Sequence, residues 1–162
     1  FFPEPTFNLP IFGVDLVVSS NNVSAAIVDL SPVSNDLPKE ICSDINSIFD
    51  ENFKTIRPLP KWGTIFSPYV CFIKPESIDE ENKFLKLIER YLNALITYSV
   101  SIEPESYLSP ITIERHKRQL TYCLQQKLND KTRSVLAKTF SPNWADRYID
   151  IVLFECPQLP PN

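Results

Sequence analysis

Two β-rich runs, Val14 to Ser19 and Val23 to Leu30, predict two short strands. Between them, Ser20-Asn21-Asn22 supplies asparagines that tolerate the positive φ of tight turns, so the pair reads as a hairpin. With Asn21-Asn22 as a two-residue turn, Ser19 would face Ser24, Val17 would face Ala26 and Asp15 would face Val28. Those six share one face, which is small, partly polar and holds a carboxylate, as sheets do where a ligand lies on them. The other face, Val14, Leu16, Val18, Val23, Ala25 and Ile27, is wholly aliphatic and needs a covering of helices. Tyr69 to Lys74 predicts a further strand.

Helical spacing governs most of the remainder. Leu37 to Phe49 predicts one helix, and Ser77 to Tyr98 a second, opened by a capping box from Ser77 to Glu80. The inner stripe of the second is read as Phe84, Leu85, Ile88, Tyr91, Leu92 and Leu95. A third helix runs from about Ile111 to Leu128. A fourth region, Lys131 to Phe154, is interrupted at Ser141-Pro142, where serine can cap and proline can open a new helix, and Asn129-Asp130 forms the joint. Pro58 and Pro60 before Lys61-Trp62-Gly63 mark a stiff non-helical loop. Hairpin strands combined with helices predict an α/β fold, a three-layer α/β/α sandwich with a central antiparallel sheet flanked by helices, in a single domain over 1–162.

Composition narrows the chemistry. The 162 residues are 43% hydrophobic and 22% charged, a globular balance. Two glycines, Gly13 and Gly63, exclude both a G-x-G-x-x-G turn and a P-loop, which need close-set glycines to admit phosphate. His116 is the single histidine, and Cys42, Cys71, Cys123 and Cys156 show no C-x-x-C spacing, so no bound metal is expected. The scattered cysteines read as reduced core thiols in a reducing compartment. No stretch approaches the ~20 apolar residues of a membrane span. The chain has no methionine and opens on Phe1-Phe2-Pro3, from which an N-terminally truncated chain is expected. Net charge is −4, yet Ile113 to Arg147 carries +5, read either as a docking face for an anionic partner or as a solvated helix face. An acidic protein or a carboxylate ligand suits that tract better than nucleic acid, because it lacks the interleaved aromatics of a single-strand binder.

Among candidate residues, Asp15 lies between Val14 and Leu16, just after Gly13. A carboxyl group with such neighbours would be desolvated and could hold a proton near neutrality as a general acid, although a solvated strand-end aspartate fits the spacing too. Ser24, on the same predicted face, could donate to a ligand carbonyl. Arg57 and Lys131 could clamp carboxylates, or be plain surface charges. His116, among Arg115, Lys117 and Arg118, is read as solvated, and no serine, cysteine and histidine set suggests a nucleophile. These residues define a ligand-binding α/β domain and no more.

Four ordered blocks go further. They are Leu9-Pro10-Ile11-Phe12-Gly13-Val14-Asp15 with Val23 through Pro32, then Leu59-Pro60-Lys61-Trp62-Gly63-Thr64-Ile65-Phe66-Ser67-Pro68, then Gln125 through Arg133 with Val135-Leu136, and Trp144-Ala145-Asp146-Arg147-Tyr148. Together they resemble the ferredoxin-dependent bilin reductases over nearly the whole chain, and the last two blocks are more similar to the phycocyanobilin-forming branch than to the phycoerythrobilin or phytochromobilin branches. The resemblance implies an α/β/α sandwich that binds biliverdin between sheet and C-terminal helices. It implies reduction to phycocyanobilin with electrons from reduced ferredoxin as external donor, with no bound cofactor, in a cytoplasmic or plastid-stromal monomer. The tetrapyrrole itself accepts single electrons, so the protein supplies binding and protons.

By the same resemblance, Asp15 matches the catalytic aspartate that protonates the pigment. Arg57 and Lys131 match the propionate-holding positions, and Ser24, Gln126, Asn129 and Val135 match residues lining the pocket. Asp130 matches a carboxylate that some branches use as a second proton donor, and Asp29 is expected to be structural, on the aliphatic face. The catalytic histidine and a glutamate partner of the family lie on strands upstream of the match to Asp15, which here would precede Phe1. The 162-residue chain alone is therefore expected not to be competent. The alternative readings are a bilin reductase of the phycoerythrobilin branch and a non-catalytic bilin carrier, which would keep Arg57 and Lys131 without needing a proton donor.

Overall fold

Strand pairing sets the frame in this computed structural model, which describes residues 1–19, 22–46 and 52–158. β1 (Ile11–Ser19) and β2 (Asn22–Ser31) form an antiparallel hairpin, and β3 (Cys71–Ile73) pairs antiparallel with the far side of β2, giving the order β1-β2-β3. β3 is shorter than the run from Tyr69 predicts because Ser67 turns the chain there, taking the Val70 N–H on its carbonyl and the Tyr69 N–H on its hydroxyl. The Asn21 position of the predicted turn lies outside the described residues.

The hairpin register corrects the prediction. Asp15 faces Ile27, Leu16 faces Ala26 and Val17 faces Ala25; beyond a register shift, Val18 faces Val23 and Ser19 faces Asn22. Ser24 is the residue left over, a β-bulge, and one inserted residue inverts the parity of everything after it. Ala25, Ile27 and Asp29 consequently share the face of Gly13 and Asp15, while Ala26, Val28 and Leu30 turn to the opposite face and are buried. Asp29 is thus on the ligand-type face and not on the aliphatic one.

The aliphatic face is covered by α1 (Lys39–Asn46) and α2 (Ile78–Ser99) over β2 and β3 only, where Ala26, Val28, Leu30 and Ile73 from the sheet meet Ile41, Ile45, Phe84 and Tyr91 from the helices in the main core. Val14, Leu16 and Val18 of β1, expected under helices, are exposed because the helices pack on the β2 side. The last residues of the first predicted helix, 47–49, fall outside the described residues. In α2 the buried stripe is Phe84, Leu87, Tyr91, Ala94 and Leu95, whereas Leu85 and Leu92 are exposed, since an i, i+3, i+4 stripe centred on Tyr91 leaves both on its flank. Half of the predicted capping box forms: Ser77 Oγ accepts the Glu80 N–H at 3.2 Å. The Glu80 carboxylate reaches past Ser77 to the N–H groups of Glu76 and Lys54, tying the segment before β3 to the helix start.

α3 (Pro110–Gln126) packs on one end of the other face, where Tyr122 meets Ile11 and Val33 in a second core. Its buried polar side chains fasten the first residues of the chain: Gln119 Nε2 donates to the Pro3 carbonyl at 2.8 Å, and Arg115 Nη1 to that of Thr6 at 3.1 Å. His116 is buried, not solvated, and its Nε2 lies 3.0 Å from the Pro157 carbonyl that it binds. A basic sequence run says nothing about direction, and the helix turns Arg115 and His116 inward while Lys117 points out. α4 (Asp130–Thr139) and α5 (Pro142–Tyr148) follow, capped by Asn129 and Ser141 with Pro142 in the first turn as predicted, and a π-helical turn (Ile149–Leu153) closes the order. Helices on both faces of an antiparallel sheet make the α/β/α sandwich that the hydrophobic pattern predicts. No helix among the described residues is long and apolar enough to cross a membrane.

Candidate functional site

A straight row of side chains crosses the second sheet face. Asp15 on β1 pairs with Ile27 on β2, and Ile27 pairs with Phe72 on β3, so the three project from one face across about 10 Å of sheet. The Arg57 guanidinium sits over the Phe72 ring, 5.2 Å from its centroid, and Nη1 donates to the Ser24 carbonyl at 3.0 Å. The bulge at Ser24 therefore turns a backbone carbonyl toward the arginine and fixes it at the end of the row opposite Asp15. The Arg57 N–H also donates to the Phe72 carbonyl at 2.8 Å, continuing the β3 edge.

Asp15 and Ser24 depart from expectation in detail. Asp15 is exposed, not desolvated, because α3 reaches only the Ile11 and Gly13 end of this face. The Ser24 hydroxyl, read as a donor to a ligand carbonyl, donates to the Val17 carbonyl at 3.0 Å and serves the bulge. Asp29, two residues beyond Ile27, is buried; it takes the hydroxyls of Ser31 and Ser67, both at 2.5 Å, and the Ser67 N–H at 3.1 Å. Burial pushes its carboxyl above the usual carboxylate range against the pull of those bonds. Its place is structural: it anchors the loop that carries Trp62 and Gly63.

The helical wall is built from the C-terminal half of α3. Gln126 Nε2 donates to Tyr122 Oη at 3.0 Å, and Gln125 exchanges hydrogen bonds with Thr64 of the proline-bounded loop at 3.0–3.1 Å. Asn129 caps α4 by accepting the Thr132 N–H at 3.3 Å, and Asp130, Lys131 and Val135 lie exposed on α4, which buries no residue. The structure thus brings Asp15, Ser24 and Arg57 together on the sheet and Gln126 beside them through Tyr122. Asn129, Asp130, Lys131 and Val135 form a separate group that makes no hydrogen bond to the sheet among the described residues. Sequence reading missed Phe72 and Tyr122; the strand alternation after Cys71 and the i, i+4 spacing of Tyr122 and Gln126 were the available signals. Cavities of about 590 and 580 Å³, beside Glu4 to Phe7 and beside Lys39 and Tyr98, lie away from this face.

The basic tract is less free than its composition suggests. Arg115 is buried, Arg118 pairs with Glu114, Lys127 with Asp150 at 3.1 Å, and Arg133 with Asp146. Lys117, Lys131, Lys138 and Arg147 are the exposed cations of the tract with no ion pair among the described residues. The four cysteines carry unbridged thiols, Cys123 buried and the others half-buried.

Comparison with known proteins bears on this face. The chain is 55% identical over 157 residues to a phycocyanobilin:ferredoxin oxidoreductase of Prochlorococcus marinus, covering 97% of this chain and 64% of that protein. With the enzyme of the same name from Synechococcus sp. (strain CC9902) it shares 49% identity over 160 residues, 99% of this chain and 65% of the relative. The chain thus spans a little under two thirds of the length of these relatives. Its fold matches a crystal structure of phytochromobilin synthase from tomato in complex with biliverdin, with a TM-score of 0.74 at 19% identity over 97% of this chain and 60% of that one. The family model described as ferredoxin-dependent bilin reductase matches residues 1–155, a span that includes the strand row and the α3 wall, and the chain belongs to that family.

Proposed function

We propose that the whole protein reduces biliverdin IXα to phycocyanobilin with electrons from ferredoxin, and that the face bearing Asp15 is where the pigment lies. The observation that carries this reading is the row Asp15, Ile27 and Phe72, with Arg57 fixed at its far end. A flat conjugated ligand needs an apolar floor, an anchor for its carboxylates and a proton source, and the row offers these in sequence across about 10 Å. Arg57 would hold a propionate by its guanidinium fork, with Lys131 as the second propionate partner. Laid on the row, the pigment would take Asp15 out of water and favour its protonated form, ready to give a proton as each electron arrives. Gln126, Asn129 and Val135 would close the helical side, and Asp130 would stand as a second carboxylate. The single domain over 1–162 and the monomer are part of the same proposal, as is a reducing compartment.

The test is spectroscopic. Full-length protein mixed with biliverdin, ferredoxin and a reductant should show a shifted pigment spectrum that bleaches progressively and moves to the blue. A stable shifted spectrum would make the protein a carrier, and an unchanged one would remove bilins from consideration. Arg57→Ala and Lys131→Ala should each weaken biliverdin binding about tenfold or more, while binding of its dimethyl ester changes little, because only the free propionate carries charge. Equal losses for both pigments would show that these residues only shape the fold.

A further inference from the structure

Tyr122 presents a hydroxyl whose proton meets no acceptor among the described residues. The side chain is 6% exposed, packed with Ile11 and Val33, with the Phe2 ring edge-on at 5.6 Å. Its oxygen accepts from Gln126 Nε2 at 3.0 Å, and among the described residues the hydroxyl donates to no partner. Buried tyrosine hydroxyls usually find an acceptor, and leaving a polar group unmet in a core is costly. Burial, with lesser pushes from the charges of Asp29 and Asp15, raises the phenol to about 12 against the pull of Gln126, so it keeps its proton at neutral pH.

Where that proton lies follows from Gly13. A Cβ added to Gly13 would come within 3.1 Å of Tyr122 Oη, so the hydroxyl rests on the sheet at a position that any side chain would crowd. Gly13 and Asp15 are alternate residues of β1 on one face, about 7 Å apart along the strand. The unpartnered donor therefore stands at the border of the Asp15 row, on the α3 side. A ligand oxygen laid on that face would be the acceptor that the described residues do not supply.

We propose that Tyr122 is a ligand-binding and specificity-determining residue of this face, whose hydroxyl, braced by Gln126 and admitted by Gly13, donates to a carbonyl or lactam oxygen of the bound ligand. The proposal rests on the reading of the face as a bilin site. Its consequence is that the ligand's orientation on the row is set by a neutral donor at one point, separately from the charged anchors.

Titrating biliverdin into full-length Tyr122→Phe should give binding weaker by about 2- to 10-fold, as expected for one neutral hydrogen bond. The bound pigment's absorption maximum should also move, because a hydrogen bond to a conjugated carbonyl perturbs the chromophore, which a merely structural loss would not do. Gly13→Ala, which displaces the hydroxyl by a few tenths of an ångström while keeping it, should move the maximum the same way by less. Combining both changes should add nothing to Tyr122→Phe. An unchanged affinity and maximum in Tyr122→Phe, with Arg57→Ala still weakening biliverdin, would overturn the role of Tyr122 while leaving the bilin site standing. If the unaltered protein binds no biliverdin, both fall. Should Tyr122→Phe fail to fold, Gly13→Ala decides alone, and an unshifted maximum there overturns the proposal.

Discussion

Asp15 and Asp29 lie on neighbouring strands of one sheet face, and water separates their roles. Asp15 is exposed beside an apolar row, so replacing it with asparagine should leave pigment affinity near normal and slow full-length turnover by ~10²-fold or more, the usual cost of a positioned acid. Turnover within a fewfold of normal in single-wavelength kinetics would remove it from the chemistry. Asp29 is buried, and its carboxyl titrates above the usual value in the folded state. A raised folded value means the fold binds the proton more tightly than the unfolded chain does. That contribution is complete below the unfolded value and is lost as pH rises through the folded one. Urea unfolding across this window should show the stability of the unaltered protein, relative to Asp29→Asn, falling as pH rises; a difference flat in pH would mean the carboxyl is not desolvated. At this scale the sequence placed Asp15 on a strand but not its burial, since apolar chain neighbours on a strand point to the opposite face and do not show what covers the carboxylate. It misled on His116, because a run of basic residues carries no information about which of them a helix turns inward.

At the scale of elements, existence and type were legible and register was not. Capping serines are local signals, and Ser77 and Ser141 each cap the helix that follows as read; Ser109 with Pro110 carries the same signal and was missed, which put the start of the third helix at about Ile111. A bulge is different, since nothing in the alternation of β2 alone shows that Ser24 will be unpaired. Its effect was to exchange the faces of Ala25 through Asp29, and with them the expected composition of the site. The stripe of α2 failed more mildly, admitting Leu85 and Leu92 and omitting Leu87 and Ala94. That helix is centred on Tyr91, fully buried, whose hydroxyl donates to the Tyr69 carbonyl at 2.5 Å, just before β3 begins. Burial holds this phenol well above its ordinary value, so it remains a donor throughout the working range. Tyr91→Phe should cost roughly 1 kcal/mol in denaturant unfolding with an unchanged slope. A loss near zero would place that carbonyl in contact with water instead.

Across the whole molecule, charge and strand edges both direct attention outward. The exposed cations Lys117, Lys138 and Arg147 are free to attract an acidic electron donor over the ~8 Å screening length at physiological salt, whereas Lys127 and Arg133 already face Asp150 and Asp146. Ferredoxin-driven rates of the full-length protein should fall steeply with salt. Charge reversal at Lys138 or Arg147 should reproduce more of that fall than neutralising Lys127, and rates indifferent to salt would make the tract a solvated face. The sheet itself sets the last expectation. On the outer edge of β1, Phe1 and Phe12 exchange both backbone hydrogen bonds, at 2.7 and 3.1 Å, which is the closed pair of an antiparallel ladder. Residues preceding Phe1 in a longer chain would continue along β1, placing the third of them opposite Asp15 with its Cβ within about 5.5 Å. We propose that a strand there protects the edge and, with the histidine that the resemblance implies, completes the chemistry. Full-length protein should therefore show slow amide exchange over Val14 to Val18 and ferredoxin-driven turnover, while residues 1–162 alone should show fast exchange there and no turnover. Equal protection and equal rates in the two would mean that β1 needs no further neighbour and that Asp15 acts without a partner from that side.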